Sequence, residues 1–146
     1  MQFNRLALRT AALAALKADE KAHDDWNAKR REDHRAERTE WVEKYGDAWL
    51  AALPKLRDKL RKGRPVTSGD LPARSRNYGS RYPATFDDTE PKATPYTGGH
   101  ALRALVRVLD AVADEKISTH ALEQLGVKRD ALREAVRHLG AGEVRA

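Results

Sequence analysis

Residues 5–53 contain no proline and a single glycine, Gly46. A stretch of about fifty residues without a helix breaker makes helix the default, either as one long element or as a hairpin. Its composition is uneven. Leu6, Leu13 and Leu16 with the alanines between them form an apolar face, whereas residues 27–40 read NAKRREDHRAERTE, with alanine as the only apolar content. Such a segment cannot be buried. It is expected as a solvated helix held by pairs such as Lys21/Asp25 and Glu40/Lys44, or as a partner-binding arm.

Trp41, Tyr45 and Trp49 then recur every four residues, and Leu53, Leu56 and Leu60 continue the same broad face. An aromatic ladder at this spacing is a helix-packing face or a seam between two copies of the chain, so Trp41, Tyr45 and Trp49 are the candidate interface residues. Pro54 either kinks the helix or opens a new one, and Gly63 is placed to end it. Just before that end lies the densest basic patch, KLRDKLRKGR, with Lys55, Arg57, Lys59, Arg61, Lys62 and Arg64 against Asp58 alone. Cations are favoured at a helix C-terminus for dipole reasons, and the same charges suit phosphate, which needs no sequence code.

Residues 63–96 show no hydrophobic period and hold Pro65, Pro72, Pro83, Pro91 and Pro95, which reads as an extended or disordered linker. Inside it, RSRNYGSRY sets Arg74, Arg76 and Arg81 beside Tyr78 and Tyr82. Arginine mixed with aromatic rings suits stacking on exposed bases, but the signal is weak and plain linker is the favoured reading of the stretch.

Residues 97–146 carry the clearest helical periodicity. Leu102, Leu105, Val106, Leu109 and Val112 line one face of a helix opened by the Thr97-Gly98-Gly99 turn. Ser118 is a good N-cap for a short second helix, and Ile117 and Leu122 have the spacing of a hydrophobic staple. Gly126 ends that helix. A third follows from about Lys128 to Leu139, with Leu132, Ala135, Val136 and Leu139 on one face. Within this unit, HALEQLGVKRDALREAVRHL resembles the helix-turn-helix superfamily of DNA-binding domains, with Leu122, Leu125, Gly126, Val127, Leu132 and Val136 at its buried and turn positions. The resemblance departs from family practice at Lys128, where Ser or Thr is usual, and at Leu122, where alanine is usual. It implies that the third helix enters the major groove of double-stranded DNA. Arg129, Arg133 and Arg137, with Lys128 at the start, would then contact guanine or phosphate. Asp130 and Glu134 interrupt this ridge, so a packing or protein-docking module is the competing reading.

The 146 residues carry 28 Lys/Arg against 22 Asp/Glu, a formal +6 that leans toward an acidic partner. The excess is N-terminal, where residues 1–62 hold 15 basic and 11 acidic side chains. With no cysteine, disulfides, thiolate zinc sites and a cysteine nucleophile are excluded. Residues 11–16 superficially resemble a targeting peptide, but the apolar run is short and Lys17 follows at once, which favours an amphipathic helix. No run is long enough to span a membrane. His23, His34, His100, His120 and His138 lack metal-ligand spacing, and no catalytic or nucleotide-binding fingerprint is present. No metal, cofactor or small-molecule substrate is therefore expected.

The expectation is an all-α chain of three parts: a helical arm (1–62), a linker (63–96) and a three-helix unit (97–146). In its overall make-up, rich in Ala, Arg, Asp and Glu, it resembles the small accessory proteins of actinobacterial phages. The function expected is non-enzymatic DNA binding in the cytoplasm, with self-association or a protein partner on the arm. The alternative is a structural virion component or a host-protein-binding protein whose linker lies over its partner.

Overall fold

The computed structural model describes residues 1–77, 80–140 and 144–145, together with the backbone but not the side chains of 75–77, 80–82 and 144–145. The fold is mostly helical, as the sequence predicts. Its elements are β1 (Gln2–Asn4), α1 (Arg5–Arg61), a short 3-10 turn (Ser68–Asp70), β2 (Ala73–Asn77), β3 (Ser80–Pro83), α2 (His100–Ala111), β4 (Lys116–Ser118), α3 (Thr119–Gln124), α4 (Arg129–Arg137) and β5 (Val144–Arg145).

The open choice between hairpin and single helix resolves as a single helix, since α1 runs through Gly46 and Pro54 without interruption. Leu50 and Pro54 are both exposed, so water can serve the carbonyl that proline leaves without its intrahelical donor. In the polar middle, Lys21 pairs with Asp25 and Lys29 with Asp33, both at 3.2 Å and four residues apart. Lys44 does not pair with Glu40 as expected and instead lies 5.4 Å from the centre of the Tyr45 ring. The helix ends in a Schellman motif. Gly63, at φ +62°, donates to the Leu60 carbonyl at 3.0 Å, and Arg64 donates to Lys59 at 2.9 Å.

Contacts divide the chain into two units along boundaries that composition does not mark. The first comprises Met1–Asn27 with Ala93–Ala146, and the second Ala28–Lys92.

In the first unit, β1 is the middle strand of a three-stranded antiparallel sheet ordered β4-β1-β5. Phe3 pairs with Ile117 on one side and Val144 on the other. Phe3, Leu8, Ala12 and Ala15 are buried in one core with Leu102, Leu105 and Leu109 of α2, Ile117, Leu122 of α3, Val127, and Ala131, Leu132 and Ala135 of α4. The N-terminal residues are thus part of the C-terminal core. Arg5 adds a hydrogen bond to the Leu109 carbonyl at 2.9 Å, and Arg9 an ion pair with Asp110. Asn27, the one buried polar residue of the described chain, exchanges hydrogen bonds with the Thr94 backbone at 3.0 and 3.1 Å, which satisfies its amide.

In the second unit, the stretch expected as linker contains the β2–β3 hairpin, with Ala73 opposite Pro83 and Asn77 opposite Ser80. It then returns along α1. The Trp49 indole donates to the Ala84 carbonyl at 2.8 Å, Phe86 lies against Trp41, Asp88 pairs with Arg38, and Glu90 pairs with Arg35. Six residues of extended chain and fourteen of helix both cover about 20 Å, so residues 84–90 track the helix surface fully extended. Tyr78 lies outside the described residues, as do the side chains of Arg76, Arg81 and Tyr82, so the arginine–tyrosine cluster expected there is not placed.

Candidate nucleic-acid interface

The first unit builds the segment of α2, α3 and α4 from local signals. Gly99, with φ +76°, starts α2. A Cβ there would meet Leu16 Cδ2 at 2.6 Å and the Tyr96 hydroxyl at 2.9 Å, so only glycine allows this close approach. Ser118 caps α3 by accepting from the Ala121 N–H at 3.1 Å, while Ile117 and Leu122 are both buried, as the staple spacing requires. Gly126, with φ +81°, turns the chain into α4, and the Val127 N–H returns to the Leu122 carbonyl at 3.0 Å. Lys128 occupies the N-cap of α4 without a side-chain cap. Leu125, expected among the buried positions, is 52% exposed. α3 stops at Gln124, and the reversal at Gly126 leaves this leucine on the outside of the turn.

α4 is fixed by Ala131, Leu132 and Ala135, all in the core. Arg129, Arg133 and Arg137 project from its other side, each with a side chain about three-quarters exposed. The spacing of four therefore gives the ridge that the sequence predicts. Each arginine also has a carboxylate partner: Glu123 for Arg129 at 2.5 Å, Asp130 for Arg133 at 3.5 Å and Glu134 for Arg137 at 2.7 Å. The Arg129 hydrogen bond holds the Glu123 carboxyl below its ordinary range. The last two partners stand three residues from their arginines and are readable in the sequence. Glu123 lies on α3, and only the turn at Gly126 brings it to Arg129. Beside this pair, an open depression of about 460 Å³ is lined by Ser118, Thr119, His120, Glu123, Arg129 and Arg133.

The basic end of α1, in the second unit, is partly committed. Lys59 and Lys55 reach Asp70 at 2.6 and 3.8 Å, and Lys62 reaches Asp58 at 2.8 Å. Asp70 also accepts from the Thr67 N–H and hydroxyl, and with Lys59 these bonds hold its carboxyl far below the usual carboxylate range. Arg57, Arg61 and Arg64 are exposed and form no ion pair among the described residues. The candidate interface residues Trp41, Tyr45 and Trp49 are half-buried under their own chain. Trp41 stands 6.0 Å from Phe86 and 6.4 Å from Trp49, ring centre to ring centre.

Comparison with protein-family models, curated proteins and solved structures finds no match. Among the described residues, no helix is long and apolar enough to cross a membrane, and no group of three or more His, Asp or Glu side chains is arranged to hold a metal ion.

Proposed function

We propose that this is a non-enzymatic DNA-binding protein of the cytoplasm that lays α4 in the major groove of double-stranded DNA. The observation that carries the reading is the division of α4 into a face locked in the core by Ala131, Leu132 and Ala135 and an exposed ridge of Arg129, Arg133 and Arg137. A helix held rigidly from behind, with guanidinium groups along its outer side, has the form that groove contact requires. The carboxylate partners do not oppose this. Exposed ion pairs are worth about 0–1 kcal/mol each, so phosphate can displace them at little cost, and until then they keep the guanidinium groups extended.

The test is fluorescence anisotropy of labelled duplex DNA with the full chain at several salt concentrations. Binding is expected to weaken steeply with salt. If the three arginines neutralise phosphates, replacing them together with alanine reduces the slope of log K against log salt by about 3. If one reads a base, its loss costs about 1–3 kcal/mol on the preferred site. Glu123→Gln releases Arg129 and is expected to tighten binding. Absence of binding, or binding that the triple variant leaves unchanged, overturns the reading.

A further inference from the structure

In the second unit, α1 carries two neighbouring faces of different fates. Trp41 and Trp49 meet the returning chain, and Tyr45 and the buried Leu56 share their face of the helix. Val42, Leu50, Leu53 and Leu60 stay 51, 66, 51 and 66% exposed. At 100° per residue these four, with Gly46 between Val42 and Leu50, fall in one stripe about 80° wide. Single exposed leucines are ordinary surface, but an aligned set on one helix needs a cover.

We propose that the cover is a second copy of this chain, packed antiparallel along α1 through the Val42–Leu60 stripe. The charges beside the stripe give the partner and the direction. Along one flank the first half carries Glu40, Glu43 and Asp47; in the second half Arg61 lies on the same flank and Arg57 within the edge of the stripe itself, while Asp58 of that flank is taken up by Lys62 at 2.8 Å. Glu40, Glu43, Asp47, Arg57 and Arg61 are exposed, and none of these five forms an ion pair among the described residues. In a parallel pair this flank faces the opposite flank of the second copy, where Tyr45, Trp49 and Leu56 offer these charges no partner. An antiparallel pair with its two-fold axis level with Ala52 sets Asp47 opposite Arg57 and Glu43 opposite Arg61, twice over by symmetry. The same register gathers Leu50 and Leu53 of both copies at the centre and brings Val42 within about a turn of Leu60 of the second copy. Gly46, lacking a side chain, permits close approach toward either end. Arg57 and Arg61, which charge alone assigns to phosphate, thereby have acceptors within the protein itself. The dimer does not depend on DNA binding, which is carried by the other unit.

The seam is about 27 Å long, shorter than a standard interface, so association in the micromolar range is expected. Sedimentation equilibrium of the full chain, from low micromolar to several hundred micromolar, should show a monomer–dimer equilibrium. Leu50→Glu with Leu53→Glu should weaken it by about a hundredfold or more while leaving the circular dichroism unchanged, because both positions are exposed in the monomer. Glu43→Arg should weaken it, and adding Arg61→Glu should restore it. The absence of cysteine allows direction to be read from a single nitroxide at Thr39→Cys. The two labels should lie about 40 Å apart in the antiparallel pair and within about 15 Å in a parallel one. A monomer throughout the range, a dimer indifferent to the leucine changes, or the short label distance overturns the proposal.

Discussion

Replacing Phe3 by alanine removes a side chain that is 2% exposed, sits on the central strand of its sheet and packs into a core drawn mostly from residues a hundred positions away. A buried Phe→Ala change costs about 3–5 kcal/mol in transfer and cavity terms. For a unit of about 80 residues, each kcal/mol moves the midpoint by about 4–8 °C, so a loss of roughly 12–40 °C is expected. Leu6, three residues on but 59% exposed, is the control, and Leu6→Ala should cost under about 0.5 kcal/mol. Because both units are helical, the assay must resolve them. Hydrogen exchange of peptides covering 102–109 and 131–135 reports on the first unit alone, alongside urea unfolding of the whole chain. By the same reasoning a fragment spanning 97–146 lacks β1, Leu8, Ala12 and Ala15 and should not fold cooperatively. Equal effects of the Phe3 and Leu6 changes, or a folded fragment, would refute the placement of the N-terminal strand in the C-terminal core.

Two further outcomes concern the second unit. The Asp70 carboxylate is stabilised by Lys59 and Thr67, so its folded pKa lies below the ordinary value of 3.8. Its contribution is fully present above that ordinary value and disappears as pH falls through the folded one. Asp70→Asn should therefore speed hydrogen exchange of residues 67–71 at neutral pH, and the difference from the parent chain should shrink on acidification below about pH 4. Trp49→Phe keeps the ring but removes the donor to the Ala84 carbonyl, at a cost of about 1 kcal/mol. Faster limited proteolysis within 84–90 should follow, and unchanged cleavage there would show that the hydrogen bond does not hold the returning segment.

Much of the helical content was legible because helices announce themselves locally. The period of Leu102, Leu105 and Leu109, the Ser118 cap, the Gly126 turn and the lack of proline before residue 54 each act within a few residues, and each has its expected structural counterpart. The choice of one helix over a hairpin was not legible, since it rests on the returning chain that Arg35, Arg38, Trp41 and Trp49 engage. β1 was hidden for a different reason. Gln2–Asn4 is too short to show alternation, and its partners lie more than a hundred residues on. Residues 63–96 lacked a period because their contacts are made one at a time with a helix, through Ala84, Phe86, Asp88 and Glu90, and not through an amphipathic face of their own. At the candidate interface the arginine ridge followed from spacing by four. The Glu123–Arg129 pair and the exposure of Leu125 depend on the turn between α3 and α4, which spacing does not encode.

The position of β1 also sets an order of events during synthesis. Residues 28–92 form a contiguous compact unit, so it can fold as soon as it has emerged. The first unit must bring Phe3 to Ile117 and then to Val144, which means closing a loop of more than a hundred residues. Loop closure entropy grows with the logarithm of length, and high contact order slows folding. Early folding of the enclosed unit replaces a long flexible loop by a shorter effective one. The rate at which the arginine-bearing unit matures therefore depends on a segment that contributes nothing to its core.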